Sequence, residues 1–256
     1  MWLRLRQICL VAAEMAPPLE DLQAVFGLSV CHIDSAVGKY GLENRLLPVG
    51  NQLLEIVAPT RPGTAAGRYL ERRRGDGGYM VITQCDDLAP RRRRVETLGV
   101  RVANELDYGD FQGMQLHPRD TGGAFFEIDR QAGDGAEDGA WHPAGPDWQS
   151  HRRTDRVSAI RAAELQSAAP EALGRRWSEI AEIDLQPDGA DWRLPLANAD
   201  LLFVPDRDGR GDGLSALHLR AGNAAAARDA AQARGLLDAD GAISICGTRF
   251  HLRDTD

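Results

Sequence analysis

Apolar residues in the first half of the chain fall into short strand-like runs separated by one-sided helical stretches. Leu3 to Ala12 is a dense run of the kind that lies buried in a sheet. Pro17 and Pro18, followed by Glu20 and Asp21, open a helix that continues through Val25 and stops at Gly27. Short strands follow, ending with Leu53 to Ala58, and Thr64 to Arg73 reads as a connecting helix. Tyr79 to Cys85 is the next strand. Asp87 caps a helix with Pro90 near its first turn, and Gly99 closes it. Strands at Gly113 to Leu116 and Ala124 to Ile128 flank a turn over residues 117–123. The order strand, helix, three strands therefore occurs twice.

The second half repeats this order more loosely. Val157 to Glu164, a helix from Pro170 to Ile180 and strands up to Val204 form one unit. Leu214 to Leu219, a helix from Ala224 to Arg234, and strands at Ile243 to Cys246 and Thr248 to Leu252 form the next. Short echoes tie the halves together: Ala12-Ala13-Glu14-Met15 with Ala162-Ala163-Glu164-Leu165, Leu53-Leu54 with Leu201-Leu202, and Gly75-Asp76-Gly77 with Gly211-Asp212-Gly213. Their offsets of 150, 148 and 136 residues are in the same order, which points to duplication. The stretch from Gln131 to Ser150 is rich in Gly, Ala, Asp and Pro without an apolar period and reads as a linker. The expected class is α+β, with four βαβββ modules in two paired-module domains, residues 1–130 and 154–256, joined by 131–153.

Composition narrows the function. A formal net charge of −8 argues against binding nucleic acid or an anionic membrane. The apolar run from Ile8 to Ala13 is too short for a signal-peptide core, and nothing approaches a membrane span. Four cysteines, Cys9, Cys31, Cys85 and Cys246, lie far apart with no C-x-x-C pair, so the expectation is a reduced, cytoplasmic protein. The run Arg91 to Arg94 reads as a solvated helix face.

Four segments carry a resemblance: Leu54-Glu55-Ile56-Val57-Ala58-Pro59, Gly75-Asp76-Gly77-Gly78-Tyr79-Met80, Asp86-Asp87, and His117-Pro118 through Phe126-Glu127-Ile128-Asp129. In this order and spacing they resemble the vicinal oxygen chelate superfamily, the glyoxalase, bleomycin-resistance and dioxygenase group. Over residues 3–130 they look most like its methylmalonyl-CoA epimerase and glyoxalase-like branch. The resemblance implies a cupped mixed sheet in which each module gives one metal ligand from its first strand and one from its last. Here those positions are Gln7, Glu55, Met80 and Glu127, with Gln7–Glu55 separated by 48 residues and Met80–Glu127 by 47. Family members usually have histidines on the first strands. An amide and a thioether in their place are weak donors, so no tightly bound metal is expected, only weak Mn, Mg, Ni or Zn at Glu55 and Glu127. The corresponding positions of the second half, Ser158, Phe203, Ala216 and His251, hold no metal quartet.

Glu55 and Glu127 each interrupt an apolar strand, where a carboxylate is costly to bury without a partner. They read as an acid/base pair, with Gln7, Met80, Tyr79 and His117 contacting substrate. Two functions stay open. One is a lyase or isomerase acting on a small oxygenated metabolite by proton transfer beside a carbonyl. The other is a metal-free binding or sequestering protein on the same fold. A small molecule is the expected partner, and a homodimer is compatible with either.

Overall fold

The computed structural model describes residues 1–253; the last three residues of the expected second domain, 254–256, lie outside the described residues. Residues up to 131 form β1 (Leu3–Val11), α1 (Ala16–Phe26), β2 (Leu42–Val49), β3 (Gln52–Pro59), α2 (Ala65–Arg73), β4 (Gly77–Cys85), α3 (Leu88–Thr97), β5 (Val102–Asp107), β6 (Phe111–Leu116), α4 (Pro118–Thr121) and β7 (Phe125–Gln131). From residue 157 onward come β8 (Val157–Ser167), α5 (Pro170–Ala181), β9 (Gln186–Asp188), β10 (Asp191–Pro195), β11 (Asp200–Pro205), β12 (Gly213–Ala221), α6 (Ala224–Ala233), β13 (Ile243–Ile245) and β14 (Thr248–Arg253).

Local chemistry sets the helix ends. Prolines sit at the first positions of α1, where no backbone donor is needed, and Gly27 ends it in the left-handed region at φ +70°. Thr64 accepts from the Gly67 N–H to start α2, and Asp87 accepts from the Ala89 N–H to start α3.

The strands make two seven-stranded mixed sheets, ordered β2-β3-β1-β4-β7-β6-β5 and β13-β14-β12-β8-β11-β10-β9. Parallel pairs at the centre, β4 with β7, β8 with β11 and β12 with β14, are flanked by antiparallel hairpins. This is the expected α+β arrangement of repeated modules, with one difference. The first and last modules have two strands after the helix where three were expected. In each, an isolated bridge stands where the third would be: His32 to Leu46 and Leu237 to Ile243. After His32 the chain turns into a 3-10 helix, Ser35–Tyr40, ended by Gly41 at φ +72°, which leaves no room to extend the pairing.

The chain packs as two compact units. One gathers β5–β7 and α3 with β9–β11 and α5; the other gathers α1, β2, β3 and α2 with α6, β13 and β14; β1, β4, β8 and β12 give residues to both. In the first unit Phe126 stacks flat on Trp177, centroids 4.4 Å apart, and the Trp177 indole N–H donates to the Thr121 carbonyl at 3.1 Å. The second unit has Phe26 against Phe250 at 5.2 Å and an Arg234–Asp21 pair at 2.6 Å. Arg91 departs from the expected solvated face. It is 2% exposed and donates to the Ala181 carbonyl at the end of α5, because α3 turns that face toward α5. Among the described residues no helix is long and apolar enough to cross a membrane.

Candidate functional site

Of the residues expected to form a site, Gln7, Glu55, Tyr79, Met80 and Glu127 lie on strands of the first sheet and His117 at the start of α4. Gln7 on β1 is buried, and its Oε1 accepts from the Trp141 indole N–H at 2.9 Å. Trp141 belongs to the stretch read as a linker. It is 1% exposed, packs edge-on against Phe111 at 5.2 Å, and lies under the Arg6 guanidinium. Arg4 donates to the carbonyls of Gly135 and Ala136, each at 2.8 Å, and Arg6 to that of Gly139 at 2.9 Å. Buried guanidiniums thus bind backbone oxygens of the segment after β7. The segment after β7 is therefore fastened onto β1, and Gln7 is one of the fastening points.

Glu55 on β3 is buried and accepts from the Asn44 amide across the β2–β3 pair at 2.6 Å. Met80 on β4 is 8% exposed, and Tyr79 beside it packs edge-on against Phe125 at 5.1 Å. His117 caps the short α4, its Nδ1 accepting from the Arg119 N–H at 3.2 Å. Glu127 on β7 is 3% exposed and lies two residues from Asp129, so both carboxyls leave the strand on one face. Asp129 is completely buried. Its carboxyl is pushed well above the usual range, first by burial and then by the charge and hydrogen bonding of Glu127. Burial and a neighbouring carboxyl both favour the protonated form of Asp129. Room for Asp129 comes from the facing strand: a Cβ on Gly113, its partner in register, would lie 1.8 Å from Asp129 Oδ1.

The second sheet holds a different constellation. His218 on β12 and His251 on β14 are direct partners in a parallel register, their rings 4.9 Å apart. Glu164 lies on β8, the neighbour of β12 in the same sheet. Two imidazoles side by side are donors that suit a mid-series divalent ion. The Arg253 Nε–H donates to His218 Nδ1 at 3.2 Å. A metal taking Nδ1 would displace that donor. A metal taking Nε2 would need a hydrogen on Nδ1, which also breaks the bond. Either way, Arg253 must let go for His218 to become a ligand.

Counting along the repeat reached His251 but matched it with Ser158, Phe203 and Ala216, which gave no set of ligands; the donor beside it is His218. The available signal was a histidine twice enclosed by large apolar residues, Leu217-His218-Leu219 and Phe250-His251-Leu252.

Two seven-stranded mixed sheets assembled from strand–helix–strand modules constitute the vicinal oxygen chelate fold, and this chain has that fold. A hypothetical protein from Staphylococcus aureus is similar over 100% of both chains, with 13% identity and a TM-score of 0.66. A triple mutant of 4-hydroxymandelate synthase from Streptomyces coelicolor is similar over 91% of this chain and 75% of its own, with 15% identity and a TM-score of 0.63. Methylmalonyl-CoA epimerase from Mycobacterium tuberculosis matches 50% of this chain and 88% of its own, at 22% identity and a TM-score of 0.44. No protein-family model matches the sequence, and no curated protein does.

Proposed function

We propose that this is a metal-dependent protein of the vicinal oxygen chelate fold that acts on a small oxygenated metabolite, with its chemistry at His218 and His251. Their place side by side on β12 and β14, rings 4.9 Å apart, carries the proposal. When bound, a divalent metal such as Fe²⁺, Mn²⁺, Ni²⁺ or Zn²⁺ supplies Lewis-acid polarisation of a substrate oxygen. The chain's own contribution is to present two nitrogen lone pairs from adjacent strands. Arg253, once released from His218, is a cation at the edge of the group that can meet an anionic substrate. The reaction class is that of a lyase or isomerase, with proton transfer beside a carbonyl. The proposal includes the division into domains 1–130 and 154–256 joined by 131–153.

Metal analysis of dialysed protein reloaded with each of these ions tests the assignment. About one equivalent per chain is expected, lost in His251→Ala and in His218→Ala. Wild-type protein that takes up no metal from any of them overturns it in favour of a metal-free binding protein.

A second reading places acid/base chemistry at Glu127 and Glu55. The buried Glu127–Asp129 pair favours it, because a carboxyl with a raised pKa can act as a general acid. Under this reading Glu127→Gln abolishes turnover while metal uptake is unchanged.

A further inference from the structure

The connection between β11 and β12 reads Asp206-Arg207-Asp208-Gly209-Arg210-Gly211-Asp212 and folds around a single side chain from β8. That side chain, Gln166, is 0% exposed. Its Nε2 has three oxygens within 3.0 Å: Asp206 Oδ1, Asp208 Oδ1 and the Gly211 carbonyl. A primary amide nitrogen has two hydrogens to donate, so three acceptors exceed what it can satisfy. Its own Oε1 is buried with no hydrogen-bond partner among the described residues. Three oxygens converging on one point, two of them from carboxylates, call for more positive charge than an amide dipole provides. A half-turn of the amide would bring Oε1 to the same point as a fourth oxygen.

The carboxylates are held in place before any ion arrives. Asp206 accepts from the Gly209 and Gly211 N–H groups, each at 3.0 Å, and Asp208 from the Arg210 N–H at 2.9 Å. Aspartates at the first and third places and a glycine at the sixth, here at φ +77°, match the opening of a calcium loop. The fifth place is a departure, since Arg210 stands where such loops have an acid or amide. Its Nε lies 2.7 Å from Asp208 Oδ2, offsetting one negative charge. Burial works against ionising Asp208, but hydrogen bonds from Gln166 and Arg210 outweigh it and hold the carboxyl at about 2.

We propose that Asp206, Asp208, the Gly211 carbonyl and the Gln166 side-chain oxygen form a Ca²⁺ site, separate from the His218–His251 pair, with water completing the shell. Four protein oxygens and a competing arginine place its dissociation constant at about 10⁻⁴–10⁻³ M, as in weak calcium modules. The site would tie the β11–β12 connection to β8.

Calorimetric titration of the full chain with CaCl₂, with MgCl₂ in parallel, tests this. Wild type should bind one Ca²⁺, Asp208→Asn should weaken binding by at least about tenfold, and Arg210→Gln should tighten it several-fold. His218→Ala/His251→Ala should leave the Ca²⁺ isotherm unchanged, which separates this site from the proposed metal centre. Arg210→Gln lies on a partly exposed side chain and keeps the test decisive if an aspartate variant fails to fold. No heat up to about 10 mM Ca²⁺, equal binding of Mg²⁺, binding that survives Asp206→Asn/Asp208→Asn, or unchanged affinity in Arg210→Gln would overturn the proposal.

Discussion

Gln7 is the residue on which substrate contact and structural fastening make opposite predictions. It and Trp141 are 2% and 1% exposed, and they share one hydrogen bond of 2.9 Å across 134 residues of sequence. Trp141→Phe keeps an aromatic ring against Phe111 but removes that donor from Gln7 Oε1. A buried acceptor stripped of a donor costs about 1–3 kcal/mol, or a fall in Tm of roughly 3–8 °C in a chain of this size. Gln7→Leu strips the indole N–H instead and should cost a similar amount. The double variant leaves neither half stranded, so its loss should fall short of the sum by about 1 kcal/mol. Urea denaturation of the four proteins, fitted with a common slope, measures the coupling. Strictly additive losses would refute the fastening role. So would a Gln7→Leu protein of unchanged stability that fails to bind ligand.

Gly113→Ala should destabilise by about 1–3 kcal/mol through collision with the Asp129 carboxyl, and Asp129→Ala in the same chain should recover most of it, read by thermal unfolding. Asp129 titrates above its unfolded value of 3.8, so the folded state binds its proton more tightly. Stability should therefore fall as pH rises from about 4 until the folded carboxyl ionises, and Asp129→Asn should flatten that slope. Arg253→Gln should strengthen uptake of Zn²⁺ or Mn²⁺, because the donor competing for His218 is gone; unchanged affinity would count against metal ligation by His218. Trp177→Ala should cost about 3–5 kcal/mol by denaturant titration, as it removes a fully buried ring stacked on Phe126.

Features fixed by neighbouring residues were readable from the chain alone. Asp87 caps its helix as expected, since capping depends on the next few backbone donors. The alternation of strand and helix, with its duplication, was enough to anticipate repeated α+β modules, and the family resemblance implied their mixed sheets. Features fixed by distant partners were not readable. Which of four consecutive arginines would be buried depends on α5, some 85–90 residues away, whose carbonyls at Glu179 and Ala181 receive Arg94 and Arg91. His218 was visible only as a histidine between leucines, two residues beyond the position that counting along the repeat assigned. A strand's register decides which side chains meet on a face, and one slipped residue reverses it. The Gly- and Asp-rich composition of 131–150 concealed Trp141 and Trp148, both buried, because composition averages over the few residues that pack.

Each compact unit is drawn from stretches of chain on both sides of residues 131–153, and this governs how quickly the protein can form. Within one unit the Leu5 N–H must find Asn198 Oδ1, 193 residues on, and in the other Cys246 Sγ approaches the Val11 carbonyl across 235. Such closures lose chain entropy before they gain contact energy, so the rate-limiting step should come late, after translation is nearly complete. A ribosome-bound first half would lack Trp177 for Phe126 and Phe250 for Phe26, leaving those rings exposed. Newly made chains would then depend on chaperones in proportion to the time spent waiting for their second half.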